Sequence, residues 1–160
     1  MSIFNIEDSS INKYIEIINE KAESKDYATV ESQTSRFFKH IAKWIYQGER
    51  QGGSWINTII NASVELYDTI YEKKSKKLNK NLVNYVNNKM KDLYIKGLKD
   101  AQNETNINDI ISRDNGYLLQ EFKTVDNHIT NLTYVRNWIH NMQLNDDIGK
   151  KIDNKKDKLK

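Results

Sequence analysis

Residues 118–139 read LLQEFKTVDNHITNLTYVRNWI, and this stretch decides between an all-α chain and a mixed one. Leu118, Phe122, Val125, Ile129, Leu132, Arg136 and Ile139 recur at alternating spacings of four and three, the rhythm of one helix face and close to a heptad seam. Thr124, Val125, Thr130, Thr133 and Val135 are β-branched and favour a strand over 121–135. Strict in–out alternation is missing there, so the helical reading prevails. A seam of this length is also a surface through which two chains can oligomerise, and residues 118–139 are the expected place for it.

The same period runs through the rest of the chain. After the capping residues Asp8, Ser9 and Ser10, the stripe Ile11, Tyr14, Ile15, Ile18 and Ala22 predicts a first helix. Val30, Thr34, Phe37, Phe38, Ile41, Trp44 and Ile45 lie on one side of a second. Ile56, Ile59, Ile60, Ser63, Tyr67, Ile70 and Tyr71 form a third stripe, and Leu78, Leu82, Val86, Met90, Leu93 and Gly97 a fourth. Asn106 is placed to cap a brief helix through Arg113, and Asp114-Asn115-Gly116 reads as a turn.

Length then places one break. A single helix over 54–100 would be about 70 Å long, whereas a compact chain of this size has a radius of gyration of about 15 Å. A turn back near Ser75–Asn81 is expected, because Ser and Asn are weak helix formers. The result is an all-α fold: a compact bundle of about five helices with short loops over residues 1–144. Residues 145–160 carry too little apolar surface to pack and are expected to form a disordered, mobile Lys/Asp-rich tail.

Composition narrows the chemistry. The 160 residues contain no Cys and no Pro, which excludes disulfides, thiolate metal sites and a cysteine nucleophile. Ile (20), Asn (20) and Lys (21) dominate, as in a protein encoded by an AT-rich genome, and a lone small domain of this kind suits a phage or other mobile-element accessory. No apolar run reaches the ~18 residues of a membrane span and no signal peptide opens the chain, so a cytoplasmic protein without a membrane partner is expected.

Charge is distributed unevenly. Residues 1–35 sum to −4, residues 72–99 to +7 and residues 100–145 to −3 within a net charge of +3. Within the basic block Lys73, Lys77, Lys80, Asn84, Asn87 and Lys91 follow the helical rhythm, on a different stripe from the apolar residues. Such a helix would turn ammonium and amide donors outward, a surface suited to phosphates, with Tyr85 and Tyr94 available for stacking. Lysine supplies 21 of the 25 basic residues, so any nucleic-acid contact is expected to be sequence-tolerant; base-edge readout prefers the arginine fork.

Catalytic constellations are sparse. Arg36/His40 and Arg136/His140 are each spaced to share a helix face. Val135-Arg136-Asn137-Trp138-Ile139-His140 resembles the Arg-Asn…His signature of HEPN-type ribonucleases, all-α proteins whose paired sites cleave RNA. That family places four to six residues between the two, against three here, and the resemblance implies a site in which Arg136 and His140 meet a second such pair. Glu16, Glu20 and Glu23, and Glu65, Asp68 and Glu72, are spaced as solvated faces, and no set of imidazole or thiolate ligands suits zinc. Gly48-Glu-Arg-Gln-Gly-Gly53-Ser54 lacks the lysine of a phosphate-binding loop and follows a helix, so it reads as a hinge leading into a helix N-terminus.

Three functions follow from these features. The first is a non-enzymatic helical interaction protein, a small regulator, adaptor or inhibitor, binding a macromolecular partner, most readily a protein, through a helix face. Its contact would lie around Trp44, Arg50 and Trp55 or on the lysine-rich segment. The second is a sequence-tolerant DNA- or RNA-binding protein using Lys73, Lys74, Lys76, Lys77, Lys80 and Lys91. The third is the ribonuclease implied by Arg136 and His140. No metal or other cofactor is expected in any of the three.

Overall fold

A computed structural model describes residues 26–47 and 52–143. The expected first helix, Arg50 and the C-terminal tail lie outside the described residues. Within them the chain is helical almost throughout, with eight helical segments and one two-residue strand pair.

The organising element is the helix over residues 26–46, α1. Its buried positions are not confined to the stripe that periodicity picks out. Ser35, Ala42 and Tyr46 are buried beside Val30, Thr34, Phe37, Phe38, Ile41, Trp44 and Ile45, so over its second half α1 reaches solvent mainly along the stripe Arg36, Lys39, His40 and Lys43. The buried hydroxyl of Thr34 donates to the Val30 carbonyl at 2.7 Å and so needs no outside partner.

The later helices pack around it. α2 (Gly52–Ile70) contributes Ile59, Ala62, Leu66 and Ile70 to the core. The chain then reverses in a short hairpin, β1 (Tyr71–Glu72) pairing antiparallel with β2 (Lys77–Leu78) in the register Tyr71↔Leu78. The reversal that length arithmetic requires is present, but the helix ends at Ile70, ahead of the expected Ser75–Asn81. Asn79 caps α3 (Lys80–Asn88) by accepting the Leu82 N–H at 3.1 Å. A break at Lys89 separates α3 from α4 (Met90–Thr105). The stripe Leu82, Val86, Met90, Leu93 and Gly97 nevertheless stays buried across the break.

Helix α4 crosses α1 at very close range. A Cβ on Gly97 would lie 2.4 Å from the Ser35 carbonyl oxygen and 2.8 Å from the Phe38 Cβ, so only glycine fits there. Asn106 ends α4 in the left-handed conformation (φ 59°) instead of capping the next helix. The short helices α5 (Ile110–Asp114) and α6 (Tyr117–Glu121) follow, joined by left-handed Asn115 and Gly116, where the turn was expected.

Residues 118–139 depart most from the sequence reading: they form neither one helix nor a strand. After α6, Thr124 is extended and its hydroxyl accepts the Asn127 N–H, starting a π-helical turn over Val125–Ile129. The Thr130 hydroxyl donates to the Val125 carbonyl at 2.7 Å, and Asn87 of α3 takes the Val125 N–H at 2.8 Å. These side chains offer the backbone alternatives to the α-helical ladder. α7 (Leu132–Gln143) then resumes with a shifted face, burying Val135, Trp138, Ile139 and Met142 while Arg136 is exposed. Leu118, Phe122, Val125 and Ile129 are buried within this chain. The continuous seam on which oligomerisation through 118–139 was expected is therefore absent.

Candidate functional site

The lysine-rich segment folds differently from its sequence rhythm. Lys73, Lys74 and Lys76 lie in the loop of the hairpin and Lys77 on β2, so they do not share a helix stripe with Lys80. Four ammonium groups are thereby gathered on one tight turn, and Lys80 adds a fifth at the start of α3. Lys91 stands apart, on α4 beyond the length of α3, about 13 Å of helix. Asn87 also leaves the expected surface, because its side chain bonds Val125 and Asp126 in the interior.

All six lysines are exposed, and none has an ion pair among the described residues. Cations elsewhere do pair: Arg36 with Glu65, Lys39 and Lys43 with Glu104, and Lys89 with Glu31. Glu72 is the one acid between Tyr71 and Lys80. Neighbouring ammoniums ~8 Å apart in water repel by about half a kcal/mol before salt screening.

The backbone of the turn is also unusual. Among described residues other than glycine, Lys76, Asn106 and Asn115 have positive φ. Asparagine tolerates that conformation because its short polar side chain bonds locally, whereas lysine has no such compensation. Lys76 holds φ 57° with its N–H on the Glu72 carbonyl at 2.9 Å. A left-handed position thus carries a cation in a chain that uses asparagine at the equivalent places.

The expected aromatic partners are not at this surface. Tyr94 is buried, and Tyr85 stacks on Tyr27 and donates to Glu31 at 2.8 Å. At the base of the hairpin, Tyr67 of α2 instead stacks on Tyr71, ring centres 5.3 Å apart and planes 18° off parallel. Tyr67 is 38 % exposed, one of two large apolar side chains so open to solvent among the described residues. Sequence reasoning assigned both tyrosines to an apolar stripe. The helix end at Ile70 is the signal that separates them from the core, and it is visible only once the turn is placed.

The tryptophan surface is corrected more sharply. Trp44 is 2 % exposed and packs against Trp138 at 6.4 Å, so it presents nothing to a partner. Trp55 is half-buried and, with His40, Lys43, Ser54 and Thr58, lines an open cleft of about 170 Å³. Lys43 lies over its ring at 5.4 Å. His40 is pushed down to about 4, mainly by burial and then by Lys39, Arg36 and Lys43, so it stays neutral near pH 7. Its ring nitrogen accepts from Arg36 at 3.4 Å, and Arg36 also holds Glu65 at 3.1 Å.

Arg136 and His140 are both exposed on α7. His128 is structural: it bonds the Thr124 hydroxyl at 2.9 Å and packs on Tyr134 at the π-turn. No group of three or more His, Asp or Glu side chains is placed to hold a metal ion among the described residues.

One polar cluster escaped the sequence entirely. Asp114 is fully buried and accepts from the Tyr46 and Tyr94 hydroxyls, each at 2.5 Å, and from the Leu118 N–H at 3.0 Å. Burial and then the Asp114 charge push the Tyr94 phenol well above its usual range. The carboxylate ties α1, α4, α5 and α6 together, and its partners are 68 and 20 residues distant in sequence. Its role is to fix the packing.

A family model described as "Domain of unknown function DUF29" matches residues 6–127, a span that includes the hairpin, both stacked tyrosines and the Asp114 cluster. No curated protein and no solved structure matches the chain.

Proposed function

The chain belongs to the DUF29 family, and from that premise we propose that it is a non-enzymatic interaction protein whose contact surface is the lysine hairpin 71–80. Its partner is an anionic macromolecule. The observation that carries the reading is the set of exposed lysines without ion pairs at Lys73, Lys74, Lys76, Lys77 and Lys80. A polyanion brought to the hairpin would relieve the mutual repulsion of these groups and release its own counterions. The alternative surface around Trp44 and Trp55 loses one of its two aromatic anchors to the core, which leaves the hairpin as the better contact. A regulator, adaptor or inhibitor works through such a surface without chemistry of its own.

The test compares two triple variants of equal charge on a heparin matrix. Lys73→Ser/Lys74→Ser/Lys77→Ser is expected to elute at markedly lower salt than the wild type. Lys96→Ser/Lys99→Ser/Lys123→Ser, which removes exposed lysines elsewhere, is expected to elute close to it. Lys76→Asn adds a second readout: relief of the left-handed strain raises stability by about 0.5–1 kcal/mol, while retention falls. Equal elution of the two triple variants would sink the reading.

A further inference from the structure

We infer that the anion taken by the hairpin is single-stranded nucleic acid, with unpaired bases stacking on the Tyr67–Tyr71 pair and phosphates held by Lys73, Lys74, Lys76 and Lys77. The inference rests on the hairpin being the contact surface and names its ligand class. Three observations converge on it.

First, the rings and the charges adjoin. Tyr71 pairs with Leu78 at the base of the hairpin, and the lysines begin two residues later. A strand crossing the turn meets an aromatic platform and a cluster of ammoniums together, the combination that binds single strands without reading sequence.

Second, the segment that carries the lysines has no apolar side chain to insert into a bilayer. Residues 72–77 read EKKSKK, without an apolar side chain, whereas membrane-surface segments combine cations with buried apolar residues. Third, no arginine lies between Arg50 and Arg113. The guanidinium fork for reading base edges is missing, so stacking and charge are what remain.

Duplex bases are already stacked and expose no face to Tyr67, so the surface discriminates strandedness. Fluorescence anisotropy of the full chain with a labelled 12-mer of oligo(dT), oligo(U) or duplex DNA tests this at 50 and 200 mM salt. Single strands are expected to bind at least tenfold tighter than the duplex. Tyr67→Leu should weaken them about tenfold while leaving heparin retention unchanged. Tyr67→Phe, which keeps the ring, should bind as the wild type does, and circular dichroism confirms that each variant is folded.

Heparin binding without a preference for single strands, or indifference to Tyr67→Leu, overturns the inference and leaves the anionic-partner reading standing. Capture by phosphatidylserine vesicles with no oligonucleotide binding overturns it as well. Failure to bind any of these polyanions at 50 mM salt overturns both.

Discussion

Asp114 is where a single residue matters most to stability. Its carboxylate receives two phenolic hydroxyls and a backbone N–H with no exposure to solvent. Asp114→Ala would leave those donors buried without an acceptor, at a cost of about 3 kcal/mol or more. For a chain of this length that lowers the melting temperature by roughly 6–12 °C, and calorimetry reads it directly. His40 governs a different property. Its folded value of about 4 lies below the ordinary 6.5, so between those pH values the unfolded chain binds the extra proton. Stability from this group is complete above pH 6.5 and is lost as pH falls toward 4. Between pH 7.5 and pH 5 the urea midpoint should drop by the equivalent of about 1 kcal/mol, solvent screening included. In His40→Gln that part of the pH dependence should vanish.

At the scale of elements, the crossing of α1 and α4 is the tightest constraint. Gly97 lets the two backbones meet, and the contacts a side chain would make are with a carbonyl oxygen and a Cβ, neither of which can swing away. Gly97→Ala is therefore expected to destabilise by about 1–3 kcal/mol despite alanine's better helix propensity. Denaturant unfolding of the variant tests the sign: stabilisation would mean that the helices can separate without loss. The hairpin between α2 and α3 shows the opposite economy. It buries little, and left-handed Lys76 sits where glycine or asparagine is ordinary. The π-turn of 125–129 shows how a good helical rhythm is overruled. Threonine hydroxyls at both ends and an amide from α3 capture the backbone groups that an α-helix would have used.

For the whole molecule, α1 is the axis around which the fold closes. Phe37 meets Phe122 at 5.1 Å, Phe38 meets Tyr94 at 5.5 Å and Trp44 meets Trp138, so α4, α6 and α7 share one partner. That arrangement accounts for both fates of the aromatic residues. Most of those on α1 and its neighbours are consumed by packing, and Tyr67 of α2, stacked on Tyr71 of β1, is left open to solvent beside the lysines. No helix among the described residues is long and apolar enough to cross a membrane.

The sequence by itself determined the helical class, the need for a reversal between residues 54 and 100, and most of the core. Apolar residues at a period of 3.6 leave the chain few other ways to bury them, and a 70 Å helix would bury too little. It also located the concentration of lysines, because charge is additive along the chain. Only the tertiary structure decided what those lysines form and which aromatic residues accompany them. Periodicity treats every position as though its helix continued, and it cannot register an Asn on α3 taking an N–H from residue 125, or a carboxylate at 114 gathering phenols from α1 and α4. Hydrogen bonds between distant segments set where helices stop. Where they stop decides which side chains reach solvent.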